Sequence, residues 1–203
     1  MIAKYFDGPA TRYLAWVLAA VVLQVPLLGG PALRDAWRYD RARVAAGEAW
    51  RLLTGHVVHL DARHALLNGA GLLLLGLLFA GVARLRYWLF AAALSVVVID
   101  AGFWWHETSL AWYVGASGVL HGLMAAGSVA LLRRRESIAL ATAVIFAGKL
   151  IWEQAVGPLP FETHGAVIVA AHAWGALGGA AAACLPALRR AVILRAVPLQ
   201  GRA

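Results

Sequence analysis

The string Trp112–Gly122, WYVGASGVLHG, sets Ser117 between small residues where a long apolar segment begins. A serine hydroxyl is a weak nucleophile and needs an adjacent base. Gly115 and Gly118 leave its flanks bare, so a substrate backbone can approach closely. The same string also suits plain helix packing, because Gly118 and Gly122 are spaced for close contact between membrane helices. His172, inside another apolar segment, is the candidate base. A titratable side chain in such a segment is a functional hypothesis by default, and burial favours its neutral form. Its alternative reading is a histidine that bridges two helices through a hydrogen bond. Gly175 and Gly179 follow His172 at i+3 and i+7. They form a bare stripe that can press against the Gly118 and Gly122 stripe and bring the ring to Ser117.

His64 and Asn68 are four residues apart, so they share one helix face. Two hydrogen-bond donors beside a nucleophile can stabilise an oxyanion, together with backbone N–H groups near the serine. The plainer reading is an ordinary polar helix start. His121 lies one turn after Ser117 on the same face and is assigned a support role, stacking on or orienting His172. His56, His59 and His64 cluster, and His106 precedes Glu107, but no H-E-x-x-H or other metal template is present. No metal and no cofactor is expected. Lys149 and Glu153, at i and i+4, read as a self-paired face. They and Asp100 are assigned structural ion-pair roles.

The elements that must position these residues follow from composition. The chain has 203 residues, 62% hydrophobic and 14% charged, with mean hydropathy +0.73. Soluble domains carry about 45–50% apolar and about 25% charged residues. The expected class is an all-α polytopic membrane protein, a bundle of six transmembrane helices near residues 13–30, 64–83, 87–103, 115–132, 138–154 and 165–185. The whole chain, 1–203, reads as one membrane domain. The net charge of +8 does not indicate nucleic acid, because the basic residues form short clusters between apolar segments. The single cysteine, Cys184, excludes a disulfide framework. Lys4 and Arg12 ahead of the first apolar run resemble a signal peptide. Five more apolar segments follow, so a retained first helix is expected, kinked or ended near Pro26.

Lys and Arg set the orientation. The N-terminus, the loops after the second and fourth helices, and the C-terminus are basic, whereas the loops after the third and fifth carry no Lys or Arg. Both termini are therefore expected in the cytoplasm. Residues 31–63 depart from the rule with six arginines. Their mixture of charge with Trp37, Tyr39 and Trp50 predicts a folded extracytoplasmic loop resting on the membrane surface. Helices two, four and six then enter from one side. His64, Asn68 and Ser117 fall in or near first turns, and His172 about seven residues in, roughly 10 Å deep at about 1.5 Å per residue.

This ordered set resembles the rhomboid family of intramembrane serine proteases. The matching pieces are Trp50-Arg51, His59, His64-x-x-x-Asn68, Gly115-x-Ser117-Gly118 and Ala171-His172-x-x-Gly175-x-x-x-Gly179. The resemblance implies a Ser117–His172 dyad with no acidic third member, and His64 and Asn68 at the oxyanion hole. It also implies a six-helix bundle with a water-filled cavity opening to the extracytoplasmic side. One position departs from the commonest pattern: His121 stands where many rhomboids carry an aromatic residue. GASGVLHG and the minimal length are similar to the rhombosortase subfamily. That likeness implies a bacterial inner-membrane enzyme acting on membrane-anchored proteins with a C-terminal Gly-Gly sorting tail. Its partners would be that substrate and membrane lipid. Two other classes stay open: an inactive relative that binds membrane clients, and a small transporter with a histidine proton relay. The absence of inverted repeats speaks against the transporter.

Overall fold

A computed structural model describes residues 8–159 and 167–185. Within them the chain is mostly helical, and each of the six apolar segments contains a helix. The first segment starts at Pro9, whose fixed φ suits a first helical position, and runs as α1, Pro9–Val22. A 3₁₀ turn, Val25–Gly29, then carries Pro26, so the helix breaks where a proline removes the backbone donor. It restarts as α2, Gly30–Trp37. The loop expected over 31–63 is thus largely structured. After α2 come the strand β1 (Tyr39–Asp40), α3 (Arg41–Ala45) and α4 (Arg51–Thr54).

Asp61 caps α5, Ala62–Phe79, by accepting from the His64 amide at 2.8 Å, the preferred chemistry for a helix start. α6 covers Leu85–Trp105. A second short strand, β2 (Trp112–Tyr113), pairs antiparallel with β1, Tyr39 opposite Tyr113. α7 covers Ser117–Arg134 and ends at Arg135 in the left-handed region. α8 is Ala139–Ala155 and α9 is Val169–Cys184. The start expected at 165 is corrected to Val169. His172 therefore sits in the first turn of α9, not seven residues in, and the depth expected for it shrinks accordingly. His164 lies outside the described residues.

Among the described residues, three stretches are long and apolar enough to cross a membrane: Pro9–Trp37, Ala62–Phe79 and Leu85–Trp105. α7 ends in Arg133 and Arg134, α8 carries Lys149 and Glu153, and α9 is apolar but only 16 residues long. Outward faces are rich in exposed apolar side chains, such as Leu73 and Leu77 on α5 and Val144, Ile145 and Ile151 on α8. In water such a surface would drive association; in lipid it is at home.

The centre of the bundle is α7 against α9, the most extensive contact between described elements. A Cβ on Gly175 would land on the backbone of Gly118, and one on Gly179 on the backbone of Gly122. Without a hydrophobic force between helices in lipid, such backbone approach supplies the packing energy. α6 closes over the same pair, with Ser95 against Gly122 and Gly178. A larger core of Trp16, Phe79, Tyr87, Trp88 and Leu123 joins α1, α5, α6 and α7.

Candidate active site

The site residues gather at the end of the bundle where α5, α7 and α9 begin and α8 finishes. Ser117 is the first residue of α7, and no side chain among the described residues caps that helix start. The positive end of the helix dipole therefore faces the space around the hydroxyl. Gly115 is needed for two reasons. Its φ is +122°, a conformation only glycine adopts readily. A Cβ there would also lie 2.7 Å from Cε1 of His64. The Gly115 amide donates to the carbonyl of Gly55 at 2.9 Å, and its own carbonyl accepts from the Tyr113 hydroxyl at 2.6 Å. Burial raises the Tyr113 phenol above its ordinary range, opposed by the Gly118 amide and the Ser117 side chain.

Ser117 Oγ lies 2.9 Å from Nε2 of His172. On the other side of the ring, Nδ1 lies 3.0 Å from Oε2 of Glu153. His172 and Glu153 are 2% and 1% exposed. This corrects two expectations. A carboxylate does stand at the third position, and Glu153 is not confined to a pair on its own helix. Its other oxygen, Oε1, does accept from Lys149, four residues earlier. Lys149 Nζ also reaches Nε2 of His121 at 3.0 Å. His121 donates from Nδ1 to the Ser117 carbonyl at 2.7 Å. Its ring stacks on His172, centroids 3.9 Å apart and planes within 8°. Sequence reasoning missed the link from Glu153 to His172. The available signal was an ionisable pair in an apolar helix, at the same end of the bundle as the serine and histidine.

His64 and Asn68 line the same cavity of about 330 Å³ as Ser117, His121, Lys149 and His172. Asn68 is buried and donates to the His64 carbonyl at 3.0 Å. The cavity runs between α5, through Leu67, Gly71 and Leu74, and α8, through Ile145 and Phe146. Other candidates separate from it. His56 pairs with Asp100 at 3.3 Å between α6 and the segment after α4. His106 stacks on Trp174, 5.0 Å between centroids, and Trp174 donates to Glu107 at 3.4 Å. His59 packs edge-on against His64, 5.1 Å between centroids.

His121, Glu153 and His172 place potential ligand atoms within 4.8 Å of one another. Two parallel stacked rings do not aim their lone pairs at a common point, as tetrahedral zinc ligation requires. The ammonium of Lys149 also already engages His121 and Glu153. The arrangement instead joins a hydroxyl, an imidazole that can accept its proton, and a carboxylate behind the imidazole. Among known proteins, the family model for the Rhomboid domain matches residues 46–188, a range that contains every residue of this site. No curated protein and no solved structure matches the chain.

Proposed function

The chain belongs to the rhomboid family of intramembrane serine proteases, and on that premise we propose that it is an active member in which Ser117 is the nucleophile and His172 the general base. The observation that carries this reading is the 2.9 Å contact between Ser117 Oγ and His172 Nε2. As the Ser117 Oγ–carbon bond forms, the hydroxyl proton passes to Nε2. The substrate carbonyl becomes an oxyanion, stabilised by Asn68, His64 and the first amides of α7. The peptide C–N bond then breaks, the leaving amine takes the proton from His172, and an acyl-enzyme remains. Water, or a second amine in a sortase-like transfer, resolves it by the reverse sequence.

The substrate class follows from the lining of the cavity. Leu67, Leu74, Ile145 and Phe146 suit an apolar segment arriving from lipid between α5 and α8. The finer assignment is a rhombosortase of the bacterial inner membrane, acting on proteins that end in a Gly-Gly motif, a membrane helix and a basic tail. It is supported by His121 within GASGVLHG. Six spans, cytoplasmic termini and a site opening to the periplasm are part of the same reading, supported by the distribution of Lys and Arg.

A fluorophosphonate serine probe tests it on the purified protein. Label on wild type and loss on both Ser117→Ala and His172→Ala are the expected outcome. Equal labelling of all three, or no label on a folded wild type, would favour an inactive client-binding relative. A Gly-Gly-tailed membrane substrate, cleaved by wild type and spared when the glycines become leucines, tests the finer assignment.

A further inference from the structure

A dyad mechanism has no use for Glu153, yet this carboxylate is buried and its two oxygens face two different partners. An ion pair on one helix needs only Lys149, and burying it is costly unless the remaining lone pairs are satisfied. Here the second oxygen is satisfied from another helix, by the candidate base itself. We propose that Glu153 is the orienting carboxylate of a Ser117–His172–Glu153 triad, held by Lys149. This rests on the reading of Ser117 as nucleophile and His172 as base.

The donors and acceptors around the cluster leave no choice of direction. The Ser117 carbonyl can only accept, so Nδ1 of His121 carries a proton and donates to it. The Nε2 of a neutral His121 then has a lone pair, which the Lys149 ammonium, a donor only, fills at 3.0 Å. The same ammonium donates to Oε1 of Glu153. Oε2 of that ionised carboxylate can only accept, so Nδ1 of His172 donates to it at 3.0 Å. That leaves the lone pair of His172 on Nε2, 2.9 Å from the Ser117 hydroxyl. The circuit starts at one oxygen of Ser117 and returns to the other, through five residues on three helices. It selects the one tautomer of His172 that can take the serine proton. It also sets a negative charge beside the imidazolium that forms when it does.

Glu153 acts through His172 and touches no substrate atom, so it is a positioning residue. It sits in the last turn of α8, the helix that also forms one wall of the cavity. The base is therefore oriented only while α8 is docked against α9.

The test uses the full-length protein in detergent and an alkyl fluorophosphonate at varied concentration, which separates kinact from KI. In this reaction the Ser117 Oγ–P bond forms, P–F breaks, fluoride leaves and the serine proton moves to Nε2 of His172. Glu153→Gln must place its amide NH₂ against either the Lys149 ammonium or Nδ1 of His172, and either choice breaks the circuit. Its kinact should fall on the order of 10²–10⁴-fold with KI unchanged. Glu153→Asp should recover part of the loss. Glu136→Gln, at the far end of the bundle beside Arg134, should behave as wild type. In ¹⁵N-histidine-labelled protein a downfield imidazole N–H resonance should be present in wild type and missing from Glu153→Gln and His172→Ala. A role confined to holding α8 would move the melting temperature but neither kinact at constant KI nor this resonance.

Wild-type kinact in Glu153→Gln, with Ser117→Ala and His172→Ala both dead, overturns the triad and leaves the dyad standing. An unlabelled wild type overturns both. Labelling lost to a chelator and restored by zinc would make His121, Glu153 and His172 a metal site instead. Where Glu153→Gln does not fold, the wild-type resonance decides, and its absence overturns the proposal.

Discussion

At the scale of single residues, His59 carries the clearest consequence. It is buried, and among the described residues neither ring nitrogen has a hydrogen-bond partner. Burial, with help from neighbouring His64 and against the pull of Asp61, lowers it to about 4. In the unfolded chain the same ring titrates near about 6.5. Between those values the unfolded state binds a proton that the folded state refuses. Folding stability therefore falls as pH drops from about 6.5 to about 4 and is flat with respect to this group outside that window. The full effect is about 3 kcal/mol at about 1.4 kcal/mol per pH unit. Denaturation midpoints in detergent at pH 7.5, 5.5 and 4.5 should decline in wild type. The decline should be shallower in His59→Phe, which keeps an aromatic ring against His64 and cannot be protonated. Equal slopes in the two proteins would remove His59 as the cause.

At the scale of elements, catalytic geometry depends on how closely α7 approaches α9. Ser117 and His172 lie on different helices, and backbone contact between Gly118 and Gly175 and between Gly122 and Gly179 sets their separation. Gly175→Ala would put a methyl group into the Gly118 carbonyl. The helices must then part, at a cost of about 1–3 kcal/mol for overpacking. The hydrogen bond to the serine would lengthen with them. The expected result is a lower melting temperature together with at least a tenfold slower reaction with the fluorophosphonate probe. Gly148→Ala on α8, where a Cβ would meet no atom within 4 Å, is the neutral control. These stripes can be picked out of the sequence because helix periodicity is local: i+3 and i+4 spacing needs no knowledge of the partner helix. Ser117, His172, His64 and Asn68 could be singled out for a similar reason, each being a polar residue at the mouth of an apolar run. Glu153 could not be assigned to His172 in that way. Its nearest partner in sequence, Lys149, fully explains it until the position of α9 is known. The start of α9 at Val169 is not legible in the same way, because Gly165–Ile168 is apolar and nothing in its sequence separates it from the helix that follows.

At the scale of the whole molecule, the segment between α1 and α5 braces the site. β1 pairs with β2, which runs directly into the Gly115 turn, and the Gly55 carbonyl holds the Gly115 amide. The sequence gives this segment only as charge mixed with aromatics. Its pairing with β2 and the Gly55–Gly115 link are backbone bonds, which leave no pattern in residue type, and the Arg41 guanidinium also ends on backbone, donating to the carbonyls of Phe103 and Trp104 at 2.8 and 2.7 Å. Arg51 is the exception, since a buried arginine must be satisfied. At 2% exposure it donates to the carbonyls of Asp35 and Arg38 at 3.0 and 2.9 Å and to Glu48 at 2.5 Å. The hydrogen bond from Arg51 is the main reason that the Glu48 carboxyl is held below its ordinary range. Replacing Arg51 with Met keeps the aliphatic stem and leaves two inward-facing carbonyls without donors, a loss of about 3 kcal/mol. If the brace acts only locally, Arg51→Met should melt earlier yet react with the probe at the wild-type rate. The path from Arg51 through α4 and Gly55 to Gly115 predicts more than that. At a temperature where Arg51→Met is still folded, probe labelling should be slowed. Arg51→Lys, which replaces a planar fork of donors with a single ammonium, should fall between the two. A labelling rate equal to wild type in folded Arg51→Met would show that the brace and the nucleophile turn are mechanically independent.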